Sequence, residues 1–272
     1  ALLVSNDGVG EVNCSLIATG KSGKINILHS GNRWPNSIGI TYSSITAYLG
    51  WKPQYDEGIL MGLAPYGDDT KLIPGTNRTY RDIFEEIIFE IGDYDQEVNP
   101  YWLAFHRIRD KWVSDKFEEV FGKRREWEEP ITDVHKNIAC AMQHRLETIV
   151  MNQLKRAKKE TGMNKLCISG GVGLNCSLNG IIERSGLFEE IFVQPASADC
   201  GTALGACYLS TRIHDKTLTP NKWSNFYLGS SFSDEYIEHV LKEKEMEYET
   251  LNEDFSAVAK HLANGKIVGW FQ

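Results

Sequence analysis

The 272-residue chain reads as an α/β protein, and two ends of the sequence say so. In the second half, KLCIS (165–169) and EIFVQ (190–194) are short apolar runs, each followed by a small-residue loop and then a helical stretch. Strand–loop–helix repeated at this spacing predicts parallel strands with right-handed crossovers. In the first 30 residues, ALLVS, EVNCSLIAT and KINILHS read as three antiparallel strands.

The elements follow in order. Asp7-Gly8 is a hairpin-turn signal, and KSGK turns the chain again before NRWPN (32–36) breaks the pattern. A helix starts from Ser37, with Ile40, Ser44 and Ala47/Tyr48 on one face and Gly50 near its end. Pro53, Gly58, Gly62, Pro65, Gly67, Pro74 and Gly75 break residues 51–80 too often for long elements, leaving room for short helices around DEGILMGLA. From Tyr80 to Phe121 the spacing of Ile83, Ile87, Ile91, Trp102, Phe105, Ile108 and Trp112 is helical. Trp127 and Pro130 sit in a connector. Thr132 or Asp133 caps a long helix running to about Lys159 through Ile138, Ala141, Leu146 and Ile149. Helices over Cys176–Ser185 and Thr202–His214 complete the crossovers. A polar linker (215–225) then separates a domain at 1–214 from a second at 226–272, which holds helices at Asp234–Lys244 and Asp254–Asn264 and a strand at KIVGWF.

Composition excludes several function classes. The net charge is −8 and the isoelectric point near 5.5, against a nucleic-acid partner. Residues 81–130 carry 8 Lys and Arg against 14 Asp and Glu, read as a solvated helical face. No run of about 18 apolar residues offers a membrane span. The six cysteines form no CxxC pair and sit mostly among apolar or small residues, as buried reduced thiols do. With no signal peptide in view, this predicts a cytoplasmic protein. The chain opens without Met and stops in an apolar run, which predicts a piece of a larger protein.

Four segments carry candidate chemistry. Gly170-Gly171-Val172-Gly173-Leu174-Asn175 lies between a strand and a helix, where glycines admit a ligand and helix N–H groups meet an anion. It is neither GxGxxG nor a P-loop, and it reads equally as a tight turn with Asn175 as helix cap. Asp7-Gly8-Val9-Gly10-Glu11 can hold a metal-bound phosphate or be only a turn. Asp199, at the mouth of the sheet before a small-residue helix, reads as a metal or phosphate-facing acid or as an N-cap. Asp56-Glu57 can supply a general base or mark an exposed turn. The histidines are scattered without HxxxH or HExxH, and His135 and His144 read as surface or packing residues.

DGVGE, NSIGITYSSITAYLGW, DEGILMGLAPYG, GGVGLNCSLNG and PASADCGTALGA occur in that order, and together they closely resemble the O-carbamoyltransferases of nodulation-factor, cephem and aminoglycoside biosynthesis. The resemblance runs through almost the whole chain. It implies the C-terminal half of an actin/sugar-kinase/Hsp70-type ATPase domain, similar to the tRNA threonylcarbamoyl-transferring proteins. The start of a domain resembling threonylcarbamoyl-adenylate synthases would follow, opening at AKHLANGKIVGWFQ. It also implies ATP and carbamoyl phosphate as substrates, a carbamoyl-adenylate intermediate, an iron-type divalent metal and a small-molecule hydroxyl acceptor. By the same resemblance, Asp7 and Gly8 form the phosphate-side turn, and Ser37 and Gly39 belong to the nucleotide pocket. Gly170, Gly171, Val172 and Asn175 form the adenosine-side loop. Asp199 is a metal ligand, and Asp56 is the acid that orients or deprotonates the attacking hydroxyl. The family's two metal histidines precede the DGxGE turn and so fall before Ala1, which implies that this piece alone is inactive. Ile59 stands where the family usually has Lys after DEG. A phosphotransferase or ATPase of the same fold, or a non-catalytic nucleotide-binding module, are the alternatives. A homodimer is one option for assembly, with the Trp-rich 101–127 stretch as core or interface.

Overall fold

The computed structural model describes residues 1–217, 226–227, 229–251 and 254–271. The chain divides into two compact units, Ala1–Pro220 and Asn221–Gln272. The division falls inside the 215–225 linker stretch, whose residues 218–225 lie outside the described ones.

In the first unit, β1 (Leu2–Asn6), β2 (Ser15–Lys21) and β3 (Lys24–His29) pair antiparallel. Strands β6 (Lys165–Ser169) and β7 (Glu190–Val193) join them in the order β3-β2-β1-β6-β7, with β1–β6 and β6–β7 parallel. Alternation along β1 buries Leu2, Val4 and Asn6 on one face. Because β1, β6 and β7 run the same way, the loops after all three emerge at one edge of the sheet.

The helices supply the rest of the core. Helix α1 (Ile38–Tyr48) is capped by Ser37, whose Oγ accepts from the Ile40 N–H at 3.1 Å. It is buried on almost every side rather than along one face. Helix α2 (Glu57–Leu63) occupies the DEGILMGLA stretch. Helix α5 (Asp133–Thr161) ends at left-handed Gly162 (φ 64°) and packs on α1 and α2. Between them, α3 (Tyr80–Ile87) opens with a Thr79–Asp82 capping box. Helices α6 (Cys176–Arg184) and α7 (Cys200–His214) follow β6 and β7.

The continuous helical pattern expected over Tyr80–Phe121 is corrected. After α3 the chain forms a hairpin, β4 (Ile88–Ile91) with β5 (Asp95–Val98), turned at Gly92 (φ 58°). An irregular stretch then leads to α4 (Asp115–Phe121). Ile83, Ile87 and Ile91 keep a four-residue period that runs on past the end of α3, so periodicity alone hides the hairpin. The cysteine expectation is also corrected. All six are free, but Cys176, Cys200 and Cys207 are exposed, because small residues around a cysteine do not by themselves bury it.

Aromatic rings dominate the centre of this core. Phe117 is fully buried, its ring 4.7 Å from Tyr48 and 4.5 Å from Phe121 between centroids. Phe117→Ala is expected to cost about 3–5 kcal/mol through lost burial and the cavity left behind. Urea denaturation of the variant measures it, and a loss under about 1 kcal/mol contradicts this packing.

The second unit contains α8 (Asp234–Glu243), capped by Ser233, and α9 (Ser256–Ala263). KIVGWF forms no strand among the described residues, and Ile267 and Phe271 are fully exposed. An apolar run becomes a strand only where another strand meets its N–H and C=O groups, and no described residue pairs with this one. Among the described residues no helix is long and apolar enough to cross a membrane.

Candidate active site

The turn after β1, the loop after β6 and the loop after β7 meet at the sheet edge. With α1 and residues 54–61 they enclose a cleft of about 650 Å³. Of the sequence-predicted residues, Asp7, Gly8, Gly39, Gly171, Val172, Asn175 and Asp199 line it. Gly170 lines an adjoining groove on the other side of Asp7, together with Ser169 and Thr202. Ser37 and Asp56 line neither.

The glycines build the floor of the cleft. At Gly39 a Cβ would lie 2.7 Å from the Asp7 carbonyl oxygen, so α1 can start only this close to the turn without a side chain. Ser37 is fully buried and donates its hydroxyl to the same Asp7 carbonyl at 2.9 Å, which explains its place outside the cleft. The Asp7 carboxylate folds onto its own turn, accepting the Gly8 N–H at Oδ1 at 2.7 Å.

Asn175 is both cap and wall. Its Oδ1 accepts from the Leu178 N–H at 2.9 Å and from Gln143 Nε2 at 3.0 Å, while its Nδ2 donates to Gln143 Oε1 at 2.9 Å. Tyr42 donates its hydroxyl to the same Gln143 oxygen at 2.8 Å. Burial, and then the Glu147 charge, push the Tyr42 phenol far above its ordinary range, so it stays a protonated donor. The turn reading of GGVGLN, with Asn175 as helix cap, is thus seen directly, and Gly171, Val172 and Asn175 also line the cleft.

Three helix N-termini converge on the cleft, since Gly39 lies in the first turn of α1 and Asn175 and Asp199 are the N-caps of α6 and α7. Their unpaired N–H groups and dipoles favour an anion. The side chains have the opposite sign. Asp7, Glu57 and Asp199 line the cleft, with no Lys, Arg or His among the described lining residues.

The Asp56-Glu57 pair divides. Asp56 accepts the Lys52 N–H at 2.9 Å, closing its own loop. Glu57 faces the cleft, with Oε1 accepting from the Ser43 hydroxyl at 2.5 Å and the Gln54 N–H at 2.6 Å. Sequence reasoning named Glu57 only as one half of the Asp56-Glu57 pair and missed Tyr42, Ser43 and Gln143 as site residues. A signal existed for two of them. Tyr42 and Ser43 stand three and four residues after Gly39, on the face of α1 that Gly39 already marks.

Among the described residues, Asp199 belongs to no group of three metal-ligating side chains. Among the described residues, the one cluster of metal-ligating type is Asp69, Cys140 and His144, whose ligand atoms lie within 4.8 Å of one another. Both Asp69 oxygens are held by Arg81, at 3.0 and 2.8 Å, and His144 Nδ1 meets Asp69 at 3.0 Å and Cys140 Sγ at 3.8 Å. One ring nitrogen serving both partners cannot relay a proton between them. The trio acts as an ion-pair clamp, in which His144, read from sequence as a surface or packing residue, packs half-exposed against Asp69. Asp199 brings one carboxylate and Asp7 a second, short of a complete metal set, so no step of the chemistry is assigned to a metal on these residues.

The clamp is pH-sensitive. The Cys140 contact and then Asp69 raise His144 from 6.5 to about 9, against burial, which lowers it. Burial raises the Asp69 carboxyl, but Arg81 and His144 outweigh it and leave it below its ordinary 3.8. The His144 contribution is therefore complete below 6.5 and lost as pH rises through about 9. Thermal unfolding of wild type and His144→Gln is expected to differ near neutral pH and to converge at about pH 10. A gap unchanged over that range contradicts the clamp.

A profile described as the carbamoyltransferase N-terminus matches residues 1–208. The chain belongs to the carbamoyltransferase family. An uncharacterized protein of Synechocystis sp. is 32% identical over 284 residues, covering all of this chain and 44% of that protein. Nodulation protein NolO of Bradyrhizobium diazoefficiens is 31% identical over 280 residues, covering all of this chain and 46% of its own. The 3′-hydroxymethylcephem-O-carbamoyltransferase of Streptomyces clavuligerus is 28% identical over 226 residues, covering 82% of this chain and 37% of that enzyme. The chain thus spans a little under half the length of the first two relatives. Every motif quoted from residues 7–206 lies inside the matched span.

Proposed function

We propose that this chain carries the transfer site of an ATP-dependent O-carbamoyltransferase, which moves a carbamoyl group from carbamoyl-adenylate to a hydroxyl of a small-molecule acceptor. The observation that carries the reading is the cleft wall, where three helix N-termini and three carboxylates surround a space of about 650 Å³ at the carboxyl ends of parallel strands. That volume suits a nucleotide-sized ligand. The five-stranded sheet, antiparallel on one side and parallel on the other, is compatible with half of an actin-type ATPase domain.

In this reading the helix N-termini receive the adenylate phosphate, and the backbone at Gly171 and Val172 flanks the adenosine. The acceptor hydroxyl oxygen attacks the carbamoyl carbon, the bond from that carbon to the phosphate oxygen breaks, and AMP departs with the electron pair. Glu57 takes the hydroxyl proton. Both of its described hydrogen bonds fall on Oε1, which leaves Oε2 without a protein donor among the described residues. Glu57, rather than Asp56, is therefore the base of this proposal. Asp199 is a candidate metal ligand awaiting partners from outside these residues. Carbamoyl phosphate and ATP are the proposed sources of the donor, and adenylate formation is proposed for a domain that begins in the second unit.

The full-length protein tests this by pyrophosphate release from ATP with and without carbamoyl phosphate. Release that requires carbamoyl phosphate is the expected result. ADP and phosphate formed regardless of it would replace the carbamoyl reading with a phosphotransferase on the same fold.

A further inference from the structure

Beside the cleft lies a second cavity of about 170 Å³, lined by Trp34, Phe105, Ile108 and Trp112. It shares Val9, Ile40 and Gln54 with the cleft, so the two spaces have a common wall. Asp110 and Lys111 also line it, and they bring one charge of each sign. The Trp34 and Phe105 rings meet edge to face, 5.2 Å apart between centroids at 69°. Val9, Trp34 and Ile108 are 43, 43 and 52% exposed, although all three are apolar and lie together. Core packing leaves such a group no reason to remain open to water, whereas an apolar ligand would cover it.

Resting on the carbamoyl-transfer reading of the neighbouring cleft, we propose that this cavity is the acceptor subsite, and that it takes an acceptor bearing an apolar six-membered ring next to its hydroxyl. Size supports one ring, since an apolar cavity of about 150 Å³ holds benzene. Charge argues against a polycationic acceptor, because Asp110 is the one carboxylate in the lining and Lys111 opposes it. Position supplies the link to chemistry. Gln54 lines both spaces, and its N–H holds Glu57 Oε1 at 2.6 Å, so the wall that seats the ring also orients the base.

Benzyl alcohol is the probe, used with the full-length protein in two independent assays. Its binding without nucleotide, followed by saturation-transfer NMR, is expected to weaken roughly tenfold in Trp34→Ala through lost stacking and burial. Ile108→Asp, at an exposed position, is expected to weaken it similarly without disturbing the fold. In the transfer assay the same variants raise KM for benzyl alcohol, while carbamoyl-phosphate-dependent pyrophosphate release is unchanged. Equal binding by wild type and both variants, or no binding by wild type, overturns the subsite. If pyrophosphate release fails in the wild type while the binding differences persist, the transfer reading falls and the ring-binding cavity stands alone.

Discussion

Glu57→Gln in the full-length protein is expected to lower carbamoyl transfer by about 10²–10⁴-fold, the usual worth of a positioned general base. The substitution keeps an oxygen able to accept from Ser43 and the Gln54 N–H, the two donors now on Oε1. What it removes is proton affinity. Carbamoyl-phosphate-dependent pyrophosphate release is expected to continue, because in this account the adenylate forms elsewhere. Asp56→Asn is the matched control. Its carboxylate accepts the Lys52 N–H within a loop, a contact the amide oxygen preserves, so transfer is expected to change less than about threefold. Rates measured with saturating acceptor separate the two. Strong loss in Asp56→Asn with little in Glu57→Gln would return the role to Asp56.

Gly170→Ala is expected to produce a stability loss of about 3 kcal/mol or more, at the upper end of single substitutions. Gly170 has φ 84° and ψ 158°, a backbone region held essentially by glycine, and that strain alone costs about 1–3 kcal/mol. A Cβ would also sit 2.2 Å from the Asn6 carbonyl oxygen, where β1 ends. The backbone there cannot yield easily, because the Gly170 N–H is tied to the Ser197 carbonyl at 2.9 Å. One glycine thus joins the loops after β1, β6 and β7, and its loss is expected to loosen the cleft as well as the fold. Gly62→Ala serves as the control, since a Cβ at that helical position meets nothing within 4 Å. It is expected to be neutral or slightly stabilising. Urea denaturation of both variants decides, and equal midpoints would contradict the role given to Gly170.

Much of the fold was legible because its signals are local. Ser37, Thr132 and Asn175 announce helix starts through short polar side chains before apolar stretches, and Gly50 announces a helix end. KLCIS and EIFVQ are apolar runs too short for helices, set before small-residue loops. The hairpin at 88–98 was not legible, since isoleucines at a helical spacing continue past the end of α3. KIVGWF failed for the opposite reason, because strand formation depends on a partner that no local pattern reveals.

The site divides along the same line. Glycines and acids at the ends of strands could be placed from sequence, as the carboxyl edge of a parallel sheet collects ligands. The choice between Asp56 and Glu57 could not. It rests on Ser43, 14 residues earlier, and on a loop turning through Gln54 at φ 66°. Ser37 shows the reverse case, a motif residue whose hydroxyl supports the turn and does not line the cleft. Asp69 and His144 are 75 residues apart in the chain, and nothing in their spacing foretells their contact.

Photolabelling tests the central claim, that the carbamoyl-adenylate occupies this cleft, most directly. The full-length protein is irradiated with 8-azido-AMP, and the modified peptides are mapped by mass spectrometry. Labelling is expected within residues 7–9, 39–43, 171–175 or 198–199, and it is expected to fall when ATP and carbamoyl phosphate are present together. Label absent from all four segments, or label there that competition leaves unchanged, would contradict the assignment.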